Sequence, residues 1–303
     1  MKGIAYIVPL CLLSIAPLWA QENGGSEPKA ATDAVNITDP VRNTGRFRFS
    51  VFGGPCLASP MADVASSVTQ YIRSLYTIVG SYDSPNIDKD TTTGMELGAE
   101  AGYRVTPRIG VGLRYVRMLT SDLKVGLSES YLDPGFSLSY EYNGLYSADM
   151  SMVQGGVWIE GGKKPVLFRG FLFVGPVMAQ MKGHYNEELS ITTYVPTETM
   201  AITDEADWTA SGNGSGVDIG GDLAYQFTSN LGGFLGASYT VADVSEAKCD
   251  SFTFSASDPS FRDYLEAYGV IPARGEGLLN PAGNPIHYDF GGIRIRGGLR
   301  LML

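Results

Sequence analysis

Few residues in this 303-residue chain could carry catalysis, and they stand far apart. The two histidines are His184, in KGHYNEE, and His287, in NPIHYDF. A lipid hydrolase needs a serine, a histidine and an acid brought together, and no motif couples either histidine to a serine. With three cysteines and two histidines there is no zinc-ligand spacing. No stretch has the alternating oxygen ligands of a calcium-binding hand. The glycine-rich SGNGSG (Ser211–Gly216) lacks the Lys and Ser/Thr context of a phosphate loop. An isoelectric point near 4.7 points away from nucleic acid. The expectation is therefore no catalytic residue, no metal and no cofactor, with a lipid-modifying enzyme as a remote alternative.

Charge at alternate positions does recur. In GMELGAEAGYRVTPRIGVGLRY, Glu96, Glu100, Arg104 and Arg114 share a phase with glycines, while Met95, Leu97, Ala99, Tyr103 and Leu113 occupy the other. Asp218 and Asp222 do the same in GVDIGGDLAYQF, and Arg294, Arg296 and Arg300 in FGGIRIRGGLRLML. If that phase faces an enclosed interior, each charge needs an opposite partner, because burying one alone is costly. Pairs are expected between the carboxylates of the second and sixth segments and the arginines of the third and eighth. Such pairs either fill the interior or line a narrow pore that favours anions.

The segments that carry these charges read as strands with two unlike faces. They are Arg46–Gly53, the two halves of the quoted hairpin, about 148–160, about 166–179, Gly216–Phe227, Leu231–Val241, and Phe290 to the end. The fifth is apolar on both faces, which leaves its register open. Short links (Thr106-Pro107-Arg108, GGKKP, Thr228-Ser229-Asn230) alternate with long ones at about 54–91, 118–146, 180–213 and 243–289. Loops beyond about 12–15 residues are uncommon in compact soluble domains. Short turns on one side and long loops on the other are the habit of a membrane-spanning barrel. The predicted fold is all-β: an eight-stranded antiparallel transmembrane barrel, with ten strands as the alternative.

Composition agrees. Glycine (38) and tyrosine (17) are abundant, Lys+Arg (22) are few, the net charge is −10, and the long links are acidic. Residues 1–20 have the charge, apolar core and small-residue cleavage pattern of a secretory signal. Residues 21–44 read as a flexible periplasmic lead-in, and 45–303 as the barrel. No other segment approaches the ~20 apolar residues of a transmembrane helix.

Over roughly residues 45–303 the pattern resembles the bacterial outer-membrane β-barrels of the eight-stranded OmpA/OmpX type. The hairpin AGYRVTPRIGVGLRY and the last strand match best. In that family the last strand has apolar residues at alternate positions, read by the barrel assembly machinery. Leu299, Leu301 and Leu303 fit that alternation, with Leu303 where the family usually has Phe. The resemblance implies a monomer in the outer membrane, in contact with lipid and lipopolysaccharide. It also implies aromatic girdles, for which Tyr103, Tyr115, Tyr225, Phe227 and Tyr239 are candidates. The loops would set the role: envelope integrity, adhesion or surface binding.

Two local features remain. Ser59–Gly80 has apolar residues at helical spacing, a capping Ser59 and Pro60 in the first turn, predicting a short helix in the first long link. Cys56 follows the first strand and Cys249 the seventh. An exported chain with an even cysteine count after cleavage permits a disulfide between them.

Overall fold

The computed structural model describes residues 46–58, 64–70, 93–120, 122–258, 274–278 and 285–303. All belong to one compact unit, Asn43–Leu303. Among the described residues, eleven strands form one sheet: β1 (Phe47–Ala58), β2 (Thr93–Arg104), β3 (Ile109–Thr120), β4 (Leu123–Leu132), β5 (Phe136–Lys163), β6 (Val166–Tyr194), β7 (Thr197–Gln226), β8 (Leu231–Val244), β9 (Ala247–Ala256), β10 (Tyr288–Asp289) and β11 (Gly292–Met302).

The sheet closes. β1 pairs with β2, β2 with β3, β3 with β5, β5 with β6, β6 with β7, β7 with β8, β8 with β11, and β11 with β1, all antiparallel. Closure reaches the last residue, where Phe47 and Leu303 exchange both backbone hydrogen bonds. Along this ring no strand edge is left open to pair with another chain.

The three remaining strands prolong members of the ring. β4 continues β3 along β5: the register passes from Leu119↔Asp149 to Leu123↔Tyr146, a slip of one residue. β9 continues β8 along β7, with Asp243↔Ser215 followed by Ala247↔Gly212. β10 precedes β11 along β8 in unbroken register. Such slips are β-bulges, which bend a strand without ending it.

Two short turns share one device. The Thr106 hydroxyl accepts hydrogen bonds from the Arg108 and Ile109 amides, and the Thr228 hydroxyl from the Asn230 and Leu231 amides. A threonine hydroxyl that satisfies amides two and three residues on is a side-chain turn. It fits the TPR and TSN links.

The long strands correct the sequence reading. β5, β6 and β7 are 28, 29 and 30 residues long and run through most of the predicted loops at 118–146 and 180–213. The hydrophobic phase inverts along them. Near the short turns the outward residues of β5 and β6 are apolar: Val153, Val157, Ile159, Phe168, Leu172 and Val174 are exposed. Farther along, the inward residues are apolar, with Tyr140, Tyr142, Tyr146, Met150, Met152, Val177 and Met181 buried. The outward positions there are Ser139, Glu141, Asn143, Lys182 and Glu188. A search for one steady alternation loses the strand where the phase turns over.

The inward apolar residues form the main core, at the end away from the short turns. A helix at 64–70 packs on it through Val64, Ala65 and Val68. It lies inside the predicted span Ser59–Gly80, whose other residues are outside the described ones.

This end also buries Asp204, which faces Glu187 across the β6–β7 ladder. Burial raises the Asp204 carboxyl from its ordinary 3.8 to about 6. Its native state then holds a proton that the unfolded chain has already lost. The resulting stability is full below the unfolded value, is lost as pH rises through about 6, and gives a window of roughly pH 4–6. In the refolded protein, a carbon-13 titration of Asp204 should have its midpoint near pH 6. Asp204→Asn should remove that part of the pH dependence of unfolding. A midpoint at the ordinary value would contradict the burial argument.

Candidate functional site

The inward face of the ring nearer the short turns is charged. β1 contributes Arg48, Ser50 and Phe52, and β2 contributes Glu96 and Glu100. Arg114 comes from β3, Trp158 and Glu160 from β5, Arg169, Phe171 and Phe173 from β6, and Asp218 and Asp222 from β7. β11 supplies Arg294, Arg296 and Arg300. All are buried.

They pair in a fixed order. Arg300 lies 2.9 Å from Asp222, and Asp222 lies 2.6 Å from Arg169. Arg169 also donates to Glu100, which lies 2.8 Å from Arg114. Arg114 reaches Asp218 at 2.6 Å, and Asp218 reaches Arg296 at 3.0 Å. Arg296 lies 3.4 Å from Glu96, and Glu96 2.6 Å from Arg294. Arginine and carboxylate thus alternate along one connected chain that begins and ends on arginine. Ser238 and Thr240 of β8 add hydrogen bonds to Arg296 and Asp218. A separate triad lies beside the short turns, where Glu160 accepts from Arg48 at 2.6 Å and Arg104 at 2.7 Å.

Aromatic rings fill the space between the ions. The Arg114 guanidinium lies 3.8 Å from the Phe173 ring centre and 4.4 Å from that of Phe171. Phe234 lies 4.6 Å from Arg300, and Trp158 5.2 Å from Arg48. A planar guanidinium can stack on a ring while its edge forks to two carboxylates, which an ammonium cannot do. That explains why the interior cations are all arginine.

Of the residues singled out in the sequence, Glu96, Glu100, Arg114, Asp218, Asp222, Arg294, Arg296 and Arg300 come together in the main chain of ions. Arg104 stands at the end of β2 and joins the Glu160 triad instead. Arg48, Glu160 and Arg169 complete the network without having been among those candidates. The sequence carried a signal for the interior aromatics of β6: in FRGFLF, Phe171 and Phe173 share the phase of Arg169. One charge would have set the register of that doubly apolar strand.

The disulfide that the sequence permits between Cys56 and Cys249 is not formed; both cysteines are buried and free. Cys56 lies opposite Arg294, itself opposite Ser238 in the middle of β8. Cys249 lies on β9, beyond the end of β8, between Ala210 and the Glu276 backbone. Residue 249 falls in the link expected at about 243–289, but β9 carries it onwards along β7.

The ions are buried among aromatic rings, and Val116, Met118, Met150, Met152 and Val177 are buried farther from the short turns. Each ion removed takes one partner from its neighbours. Arg114→Ala leaves Glu100 and Asp218 each short of a partner and should cost about 3–5 kcal/mol in urea unfolding from vesicles. Exposed Arg46→Ala should leave unfolding unchanged. A cost below about 1 kcal/mol for Arg114→Ala would show that water or a rearranged neighbour replaces the guanidinium readily.

No protein-family model matches the chain, and no curated protein does. Solved structures similar to it include Ail, the attachment invasion locus protein of Yersinia pestis, at 12% identity, 85% of this chain, 99% of that one and a TM-score of 0.27. Neisserial surface protein A matches at 11% identity, 85% and 96% coverage and a TM-score of 0.28. A major outer membrane protein from Thermus thermophilus matches at 16% identity, 85% and 99% coverage and a TM-score of 0.32. Scores this low transfer no role to the chain.

Proposed function

We propose that the chain is an integral protein of a bacterial outer membrane, with a closed lumen and a structural or surface-binding role. Its membrane wall is the eight-strand ring of β1, β2, β3, β5, β6, β7, β8 and β11, the count that the OmpA/OmpX resemblance implies. The observation that carries this reading is the outward face. On β7 the outward residues from Phe227 to Val217 include Tyr225, Leu223 and Ile219, all exposed. Beyond Val217 they turn polar: Ser215, Asn213, Ser211, Thr209, Asp207 and Glu205. On β6 the apolar run lasts from Val166 to Met178 and ends at Gln180. About eleven residues at ~3.4 Å each, tilted by about 40°, give a band roughly 25 Å tall. That is the apolar band of an outer-membrane barrel.

Aromatic residues edge the band. Phe47, Tyr103, Tyr225 and Phe227 lie beside the short turns, with Phe47 against Tyr103 and Tyr225 against Phe227. Tyr115 and Tyr239 lie towards the other border, where the Arg117–Asp149 pair begins the polar zone. A soluble barrel would put apolar residues inside throughout. Here the band has its ions inside and its apolar residues outside, and only the extension beyond it has the soluble arrangement.

On this reading the short turns and residues 21–44 are periplasmic, residues 1–20 are removed on export, and the extended half stands outside the cell. β11 addresses the chain to the assembly machinery, and the wall meets lipid and lipopolysaccharide as a monomer. The filled lumen favours a wall over a pore, and the charged groups serve packing rather than catalysis.

Membrane fractions test this. The protein should sediment with outer membranes, migrate faster on a gel unheated than boiled, and give no conductance steps in planar bilayers. Recovery in the soluble fraction with unchanged mobility would overturn the barrel. Channel events above background would overturn the closed lumen.

A further inference from the structure

Beyond the apolar band, the outward face of β6 and β7 brings together three residues unrelated to the ion chain. His184 and Asp207 stand directly opposite each other in the ladder, and Glu205 is the next outward residue of β7 towards the hairpin tip. His184 Nδ1 lies 3.0 Å from Asp207 Oδ1 and 3.8 Å from Glu205 Oε1. One donor atom from each of the three falls within 4.8 Å of the others.

We propose that His184, Glu205 and Asp207 bind a divalent transition-metal ion of the zinc class. Bonds of about 2.0–2.2 Å in tetrahedral geometry place donor atoms about 3.3–3.6 Å apart. The two histidine–carboxylate separations bracket that edge and the trio's atoms all lie within 4.8 Å, so the site is within reach of side-chain rotation. The backbone is already fixed, because unbroken ladder pairs flank the trio from Gly183↔Trp208 to Asn186↔Glu205. Two carboxylates match the charge of a divalent ion, and the imidazole selects Zn2+, Ni2+ or Cu2+ over Ca2+ or Mg2+. Among the described residues, the basic side chain within 4 Å of both carboxylates is His184 itself. All three side chains are between 44% and 65% exposed, so an ion and a completing water can reach them. The site does not depend on the membrane reading. Sequence spacing cannot show it, since its members meet only through strand pairing.

His287 supplies an internal control: it lies 3.9 Å from Asp243 but gathers no second carboxylate among the described residues. The full refolded chain in detergent micelles, stripped with chelator, is titrated with Zn2+ against a chromophoric competitor and separately with Co2+. One equivalent of Zn2+ should bind, and Co2+ should develop the visible absorption of a low-coordinate site. His184→Gln and Asp207→Asn should weaken Zn2+ at least tenfold, about 1.4 kcal/mol, and abolish the Co2+ spectrum. His287→Gln should change neither. The heat-dependent gel shift of each variant shows that it has folded. The proposal is overturned if the chain takes up no equivalent of Zn2+ below about 0.1 mM. Equal binding by the folded His184→Gln variant also overturns it, leaving an ordinary histidine–aspartate hydrogen bond.

Discussion

Closure of the strand ring is the constraint on which the rest depends. In an apolar surrounding no backbone N–H or C=O can turn to water, so each must pair with a neighbouring strand. The ladder that returns from β11 to β1 meets that demand through to Phe47 and Leu303. Closure also makes the interior small. Whatever points inward is enclosed, and its charges must be matched locally or not exist. The alternating chain from Arg300 to Arg294 is the solution this sequence adopts. No carboxylate in it has fewer than two arginine neighbours, so strands as far apart in sequence as β2 and β11 are tied through one network.

A second consequence is the stacking of two opposite hydrophobic orders on the same strands. Near the short turns β5, β6 and β7 turn mostly apolar side chains out, and turn their ions in with Trp158, Phe171 and Phe173 among them. Farther along, Tyr142, Met150 and Met181 point in, while Glu141, Lys182 and Asp207 point out. The pleat does not change; on the proposed reading, what changes is the medium on the outer side. Where the two orders meet, both faces are apolar, as around Met152–Val153 and Val177–Met178. The inward apolar residues lie on the far side of the charged half, so the inversion that ends the outward band also begins the apolar core.

How much of this could be read in the sequence follows from the same point. The hairpin from Gly94 to Tyr115 was legible because charge and apolar bulk keep separate phases throughout, and Thr106 marks its turn. Glu96, Glu100, Arg114 and the β11 arginines could be placed inside for that reason. The upper parts of β5 to β7 were not legible. Their phase reverses, and segments such as ITTYVPTETMAI scatter Ile191, Tyr194, Val195, Met200 and Ile202 over both phases, so neither face is set. The separation of Cys56 from Cys249 depended on β9 continuing β8 along β7, a pairing that no local pattern declares. His184 and Asp207 are likewise joined only by the register of β6 against β7.

The central claim is a belt of fixed height on a closed ring, with water on the outer surface only beyond it. Spin labels placed singly at outward positions of β7, in a cysteine-free chain reconstituted in liposomes, measure it directly. The account predicts that oxygen relaxes labels at Val217, Ile219, Leu223 and Tyr225 more than a water-soluble nickel chelate does. The preference should reverse at Glu205, Asp207, Thr209 and Ser211. Equal chelate access at all eight positions would contradict a membrane-spanning wall.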